Sequence, residues 1–545
     1  MRVPYVQRSA PIEWPVEVDR DQVRDATSRL VAHVSGRVEP DGAIREQCQS
    51  RVLESALALS LLTRVGVTAP ARDRLLAFLD AHRDSPERLD RVLARLAVSR
   101  ATSGGSTVDA TLVARLTDGV LGAAPGFISG RRRRMVGAVL SVLGCPLPGD
   151  LGAPADGAVP TDPMHSWAVV QQAAVTLILA AAAGVSNPVT DDARDTLLAI
   201  EPGTSVWEGY VLMHLLALHG LAGVPGQEAT VRDGVRTLLR YQRDDGGFPF
   251  VVEMHHWCTA TAGLGLAAAG APTSLLRSMG RMLVVHQGGA PLARSLSRGT
   301  PLTDGWSMSV GVAQNDVDCT ACALEFLQVT DPVGFGGAVR RGVRSLLAVQ
   351  GADGGFPTFV AGAASEPCMT AAAVGALASI PATAPARARA LAFLADSQLA
   401  DGGFEPGWSR SRLHALFRAR LAAYTAHPDD CRSATMAERI ERTVRETQND
   451  DGGWGMQPGD PSDDVSTAYG LITLCYGSES RPVGRALSWL LGQQHADGGY
   501  RGVPDMVGPR PFTYHLPVLT DAPVLLAFGH VRCRTRDRVA VALGA

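Results

Sequence analysis

Aromatic side chains are scarce in this sequence, at 5%, although hydrophobic residues make up 46% of it. The scarcity argues against a strand-rich protein, because aromatic and β-branched residues are the ones that fill pleated sheets. Ala and Leu carry most of the apolar content, and both favour helices. Charge of one sign is lacking too. A net charge of −3 gives no general attraction to nucleic acid. Nine cysteines are scattered along the chain. The one CxxC, Cys319 and Cys322, lies in an apolar helical run without a second pair, which excludes a zinc ribbon or a disulfide framework. Thiols kept reduced, and hence a cytoplasmic location, fit best. The opening stretch MRVPYVQRSAPIEW has no apolar core of the kind a secretory signal needs. The apolar helix core around 173–185 is too short to span a bilayer, so no transmembrane segment is expected; a monotopic membrane contact stays open.

What is present is a repeat. Gln242-x-x-Asp245-Gly246-Gly247-Phe248 recurs from Gln350 to Phe356, Gln398 to Phe404, Gln448 to Trp454 and Gln494 to Tyr500. The last four copies are 48, 50 and 46 residues apart, and the gap of 108 from Gln242 to Gln350 leaves room for one more. Gln287, followed after an insertion by Asp304-Gly305-Trp306, fits as that degenerate copy. Each copy follows an apolar helical run. The Gly pair supplies a left-handed C-cap, the Gln amide can bond loop backbone, the Asp can cap nearby amides, and the aromatic can plug the gap between helices. One repeat is then a helix pair plus a clasp. The expected fold is all-α, with two α/α-barrel domains. The expected boundaries are an N-terminal segment over 1–25 that packs on the second barrel, a worn helical domain over 26–249, and a barrel over 250–545. Gly- and Pro-rich stretches at 144–163 and 222–226 read as loops. A closed ring and an open solenoid are both compatible with the repeat.

Four of the helices after the clasps begin with Thr-Ala: Thr259-Ala260, Thr320-Ala321, Thr370-Ala371 and Thr467-Ala468. An acid four residues before the Thr occurs three times, as Asp316, Glu366 and Asp463, which fits helix capping. An acid two residues before the Thr occurs once, as Asp318. Capping therefore accounts for Asp316 better than for Asp318. Burial and the neighbouring Asp316 would raise the Asp318 pKa, and the two carboxyls would titrate as a pair holding one proton. Such a proton, facing a dry cavity, can be given to an alkene.

These residues carry a family resemblance. The clasps are similar to the QW repeats of squalene-hopene cyclases and other class II terpene cyclases. Asp316-Val317-Asp318-Cys319-Thr320-Ala321 resembles that family's DxDDTA acid motif, approached through Asp304-Gly305-Trp306. His256-Trp257-Cys258-Thr259, the Gly452-Gly453-Trp454-Gly455 to Tyr469 stretch, and Phe512-Thr513-Tyr514-His515 resemble further family segments. The resemblance is strong over 240–545. It implies a βγ architecture with the active cavity between two α/α barrels. It also implies Asp318 as the proton donor to a terminal alkene or epoxide, with Asp316 as its supporting carboxylate. Cys319 departs from the family, which has a further Asp there, and a thiol is a weak donor with little negative charge.

The same resemblance implies an isoprenoid substrate. The length, and the lack of an evident membrane-anchoring helix, favour a linear prenyl diphosphate (farnesyl or geranylgeranyl) kept intact, over squalene or another polyprene. Aromatic faces at Trp257, Trp306, Trp167, Tyr514 and Phe356 are candidates to stabilise cations. His255, His256 and His515 are candidate partners of the acid or terminal bases. Mg2+ is the expected cofactor, with Glu46 as a candidate ligand. Arg51 and the run Arg131 to Arg134 are candidate diphosphate contacts. The acid pairs Asp429-Asp430 and Asp463-Asp464 lack the third Asp that the DDxxD motif of an ionising cyclase needs. Two other readings stay open: a zinc enzyme like the protein prenyltransferase β-subunit, with Asp, Cys and His ligands, and a non-catalytic relative, motivated by Cys319. A homodimer is allowed, and no nucleic-acid partner is expected.

Overall fold

A computed structural model describes residues 12–67, 70–103, 126–145, 163–185, 188–291 and 293–536, with a few isolated positions between 115 and 122. Most of the Gly- and Pro-rich stretch at 144–163 and the first part of the N-terminal segment lie outside the described residues.

The C-terminal repeats close into a ring. Its inner helices are His255–Ala269, Val317–Thr330, Pro367–Leu377, Arg412–Tyr424, Asp464–Leu474 and Val518–Arg534. Each packs on the next, and the last packs on the first. These helices are short and apolar nearly all round, as helices enclosed on both sides must be. Pro367–Leu377, for example, has every side chain buried. The outer helices are amphipathic: Thr273–Val285, Gly336–Val349, Ala384–Ser397, Cys431–Glu446 and Ser480–Gln493.

The sixth outer helix comes from the other end of the chain. Arg20–Ser35 packs on Val518–Arg534, His255–Ala269 and Ser480–Gln493. Ile12 and Glu13 pair in parallel with Thr535 and Arg536. The boundary expected at residue 26 therefore falls inside a helix of the barrel. The physical reason is that Val23, Ala26, Leu30 and Val34 form one apolar face, and the barrel is what buries it.

The clasps explain the closure. In each, the Gln Nε2 donates twice: to a carbonyl of its own turn and to one in the next outer helix. Gln350 bonds Gly354 O and Ala386 O at 2.8 and 2.9 Å. Gln448 bonds Gly452 O and Pro482 O. Gln287 repeats the pattern with Asp304 O and Ala338 O, and so is the missing copy. Gln494 reaches Ala26 O and ties the ring shut. The Asp caps the second Gly amide, as in Asp353 with Gly355 N at 3.0 Å. The aromatic residue's amide donates to the hydroxyl of the Thr-Ala start, as Phe356 N does to Thr370 Oγ1 at 2.8 Å.

The N-terminal half builds a second helical assembly around Val52–Val65, Ser166–Ala183 and Val211–Leu221. The Gln242 clasp joins its end to its beginning by bonding Ala71 O, while Phe248 and Pro249 pair with Arg51 and Ser50. One continuous apolar core runs through both assemblies. Ser166–Ala183 starts earlier than the apolar pattern indicates and is long and apolar enough to cross a membrane; 67% of it is buried inside the protein.

Candidate active site

Asp316 is the N-cap of the acid-bearing helix. Its backbone is extended, and its Oδ1 accepts from Cys319 N at 2.7 Å. Glu366 and Asp463 hold the same place in the next repeats, each with its amide bonded to the carbonyl of its clasp aromatic. Asp318 lies within the first turn and is freed from capping by Asp316. It is buried, and among the described residues its Oδ1 accepts no hydrogen bond. Arg418 Nη2 stands 3.9 Å from that oxygen, and Arg418 Nη1 stands 3.7 Å from Glu325 Oε1, two helical turns further on. Burial raises the Asp318 pKa above the ordinary carboxyl range; the Arg418 charge opposes that shift and Glu366 reinforces it. Burial also pushes Asp316 up to about 7, against the Cys319 hydrogen bonds and with the Asp318 charge. The Cys319 thiol is buried, its pKa is raised by burial, and it bonds Asp316.

Both carboxyls open onto a cavity of about 1330 Å3 whose walls come from both assemblies. The barrel contributes Trp257, Asp316, Asp318, Cys319, Glu366, Phe359 and Trp408. The N-terminal assembly contributes Arg131, Arg132, Trp167 and Tyr210. Edge-to-face and tilted ring contacts run in a row along the wall. Tyr514 and Phe250 are 5.0 Å apart, Phe250 and Tyr210 4.9 Å, and Tyr210 and Trp167 5.4 Å. Trp167 and Phe359 follow at 5.3 Å, then Phe359 and Trp408 at 5.8 Å. The Trp257 indole N–H has no partner among the described residues.

The cavity also holds fixed positive charge. Arg132 is buried. Its Nη1 meets only Met135 Sδ, and its Nε meets nothing among the described residues. Burial, with Arg510, Arg131 and Arg51 nearby, lowers its pKa to about 9. Arg510 pairs with Glu366 and lies 4.3 Å from the centre of the Trp408 ring. A buried guanidinium without a carboxylate is costly unless an anion joins it.

Of the residues singled out from sequence, Asp316, Asp318, Cys319, Trp257, Trp167, Tyr514 and Arg131 meet in this cavity. Others do not. Trp306 and Phe356 are clasp aromatics, fully buried behind the wall; Trp306 Nε1 bonds Leu283 O. His256 is held behind Trp257 by Ser307 O, and His255 pairs with Glu253. His515 lies outside the lining. Arg51 is consumed by Glu54 and by Gly508 O and Thr513 O, so it braces the wall rather than facing a ligand. Glu46 is taken by Arg37 and by Val518 N, so it has no place for a metal. Among the described residues no group of three or more His, Cys, Asp or Glu could hold a metal ion. Neither a protein-held Mg2+ cage nor a zinc site therefore has a ligand set there.

Comparison with known proteins agrees with the fold. The prenyltransferase α-α toroid domain family matches residues 313–507. The ent-copalyl diphosphate synthase of Streptomyces platensis superposes with a TM-score of 0.57 at 19% identity, covering 94% of this chain and 100% of that one. A drimenyl diphosphate synthase of Streptomyces showdoensis is 39% identical over 518 residues, 92% of this chain and 93% of its own length. Another, from Streptantibioticus cattleyicolor, is 36% identical over 516 residues, again 92% and 93%. The chain belongs to the class II terpene cyclases.

Sequence reading of this cyclase missed Arg510, Glu366, Tyr210, Phe250, Phe359, Trp408 and Arg418. Glu366 had a signal, because it aligns with Asp316 in the Thr-Ala starts. Arg132 is a candidate in the sequence only as one member of the arginine run. Arg510, Phe250, Phe359 and Trp408 sit in loops and Tyr210 at a helix start, where no periodicity marks them, while Arg418 lies inside Arg412–Tyr424. A second cavity of about 1050 Å3 fills the barrel lumen beyond Trp257 and Met506, lined by Glu325, Arg418, His414 and Tyr469 among apolar side chains.

Proposed function

We propose that the cyclase converts farnesyl diphosphate into a bicyclic, drimenyl-type diphosphate, with Asp318 as the general acid and the diphosphate left intact. One observation carries the reading. A buried carboxyl with an oxygen that accepts no hydrogen bond and a buried guanidinium with no carboxylate partner among the described residues share one aromatic-walled cavity. A hydrocarbon chain ending in a diphosphate matches that pairing. Two of the relatives named above are drimenyl diphosphate synthases, and drimenyl diphosphate is a cyclic isomer of farnesyl diphosphate.

In this reading Arg132, with Arg131 and Arg510, receives the diphosphate. Asp318 gives its proton to the terminal alkene, whose π electrons form the new C–H bond. The next double bonds then close onto the resulting cation. Transfer of a proton from an adjoining carbon to a base in the cavity, with the C–H electron pair forming the final double bond, ends the sequence. The faces of Trp257, Phe250, Tyr514 and Trp408 stabilise the positive charge as it moves, and the apolar wall keeps water away from it. Mg2+ would arrive with the diphosphate, since this class of ion is commonly held by substrate phosphates; the protein offers no cage for it among the described residues.

The test is incubation with farnesyl, geranylgeranyl and farnesylgeranyl diphosphates and squalene, with Mg2+, followed by phosphatase treatment and analysis for cyclic alcohols. A bicyclic alcohol from farnesyl diphosphate is expected. No cyclic product from any diphosphate overturns the reading. Asp318→Asn is expected to lower kcat by about 10²–10⁴-fold, the range of a general acid. Full activity in that variant overturns the acid assignment.

A further inference from the structure

Glu208 is a residue the proposed chemistry does not use. It sits in the short turn Trp207–Gly209 with φ 51° and ψ 24°, a left-handed conformation that side chains other than glycine resist. Strain of this kind persists only where the surroundings enforce it, and it concentrates at functional sites. The Glu208 carboxylate is engaged at both oxygens. Oε2 accepts from Trp167 Nε1, and Oε1 accepts from Ala313 N at 3.2 Å. Burial pushes its pKa up to about 7, with those two bonds acting the other way. The next residue, Gly209, accepts from Val252 N at 2.9 Å, so the turn is pinned from a third side.

Its two partners have different duties. Trp167 is a wall of the active cavity, set edge-on to Tyr210 and Phe359. Ala313 lies three residues before Asp316, on the strand of chain that feeds the acid motif. The same seam is stitched nearby by Ser166 N and Oγ to Gln314 Oε1 at 3.1 and 3.2 Å, and by the Met164–Arg298 bridge. Glu208 does not line the cavity itself. It borders a surface crevice of about 560 Å3 with Trp207, Ala313, Pro291 and Leu296, so Trp167 stands between it and any substrate.

We propose that Glu208 is a positioning residue for cyclisation: one carboxylate sets the Trp167 face against the cavity and at the same time holds the backbone that delivers Asp316 and Asp318. The inference rests on the cyclase reading above. Its consequence is chemical. If the Trp167 face and the acid are fixed relative to one another, the chain is held folded at the moment of protonation. A loosened face then lets the cation lose its proton before the second ring closes.

The experiment compares Glu208→Gln, Trp167→Phe and the double variant with the unaltered protein. The first substitution sets an amide N–H₂ against one of the two N–H donors, and the second removes the indole donor. Each single variant is expected to lower kcat roughly tenfold, within the loss that a misplacement of about 1 Å produces. KM for farnesyl diphosphate should stay within about twofold, because the arginines are untouched. The share of monocyclic and open-chain alcohols after phosphatase should rise. The double variant should be no slower than the slower single, because both remove one interaction. Unchanged products, an effect on KM alone, or losses that multiply in the double variant overturn the inference. If Glu208→Gln does not fold, Trp167→Phe decides alone, and wild-type kcat and products in it overturn the inference. A failure of the cyclase reading looks different, because the unaltered protein would then form no cyclic product.

Discussion

At the scale of single residues, the site is built by separating two jobs that a helix start usually gives to one acid. Asp316 caps, and Asp318, two residues on, keeps an oxygen without a hydrogen bond. The pair has raised pKa values, so the proton stays bound to higher pH than on an ordinary carboxyl. Activity should therefore persist at pH values where an ordinary carboxyl has ionised, and be lost only as pH rises through the raised pKa range of the pair. Cys319→Ala removes the thiol bond that lowers the Asp316 pKa. The basic limb of the kcat–pH profile should therefore move to higher pH in that variant, and an unmoved limb would show that the thiol has no hold on the pair. Arg132 gives a prediction of two signs. It is charged at neutral pH although burial lowers its pKa to about 9. Arg132→Met should raise KM for the diphosphate by tenfold or more and also stabilise the unliganded fold by about 1 kcal/mol, because an uncompensated buried charge is removed. Steady-state kinetics and thermal melting test the two halves independently.

At the scale of elements, the clasp is the unit that recurs, and its geometry is strict. Gly354 has φ +87°, and a Cβ there would stand 2.6 Å from Arg389 O, the backbone of the neighbouring outer helix. Gly354→Ala should cost about 2–3 kcal/mol, from left-handed backbone strain plus overpacking. Hydrogen exchange should place the loss in Gly336–Val349 and Ala384–Ser397, the two outer helices that the clasp joins, and leave Val211–Leu221 protected. Uniform loss through both assemblies would show that the clasps act globally instead. The long insertion between Gln287 and Trp306 is the exception to the repeat. Its backbone carries the Met164–Arg298 bridge to the N-terminal assembly, so the repeat is worn where the barrel must hold its neighbour.

At the scale of the molecule, the chain closes its second barrel with its first helix. The Gln494 clasp bonds Ala26 O, and Arg29 bonds Gln494 in return. Deleting residues 1–35 removes one outer helix of six and exposes the apolar faces of Val518–Arg534 and Ser480–Gln493. The shortened chain should lose cooperative melting and activity, and a peptide of residues 1–50 supplied in trans should restore part of both. Normal melting of the shortened chain would mean that the ring stands on five outer helices.

The sequence by itself determined the repeat, its helical character and the acid motif, because each is a local pattern. A Gly pair after a helix, an amphipathic period and an acid two residues before a Thr-Ala start are all decided by near neighbours. Even the degenerate clasp at Gln287 could be placed from spacing alone. Only the tertiary structure decided which side chains face the cavity. Trp306 and Trp257 look alike in sequence, yet one plugs a clasp and the other lines the site. Arg51 and Arg132 look alike too, but Glu54, three residues from Arg51, takes up its charge, while no carboxylate reaches Arg132 among the described residues. Pairings across more than a hundred residues, such as Arg510 with Glu366 or Gln494 with Ala26, leave no local trace, because their energy comes from contacts that exist only once the chain has closed.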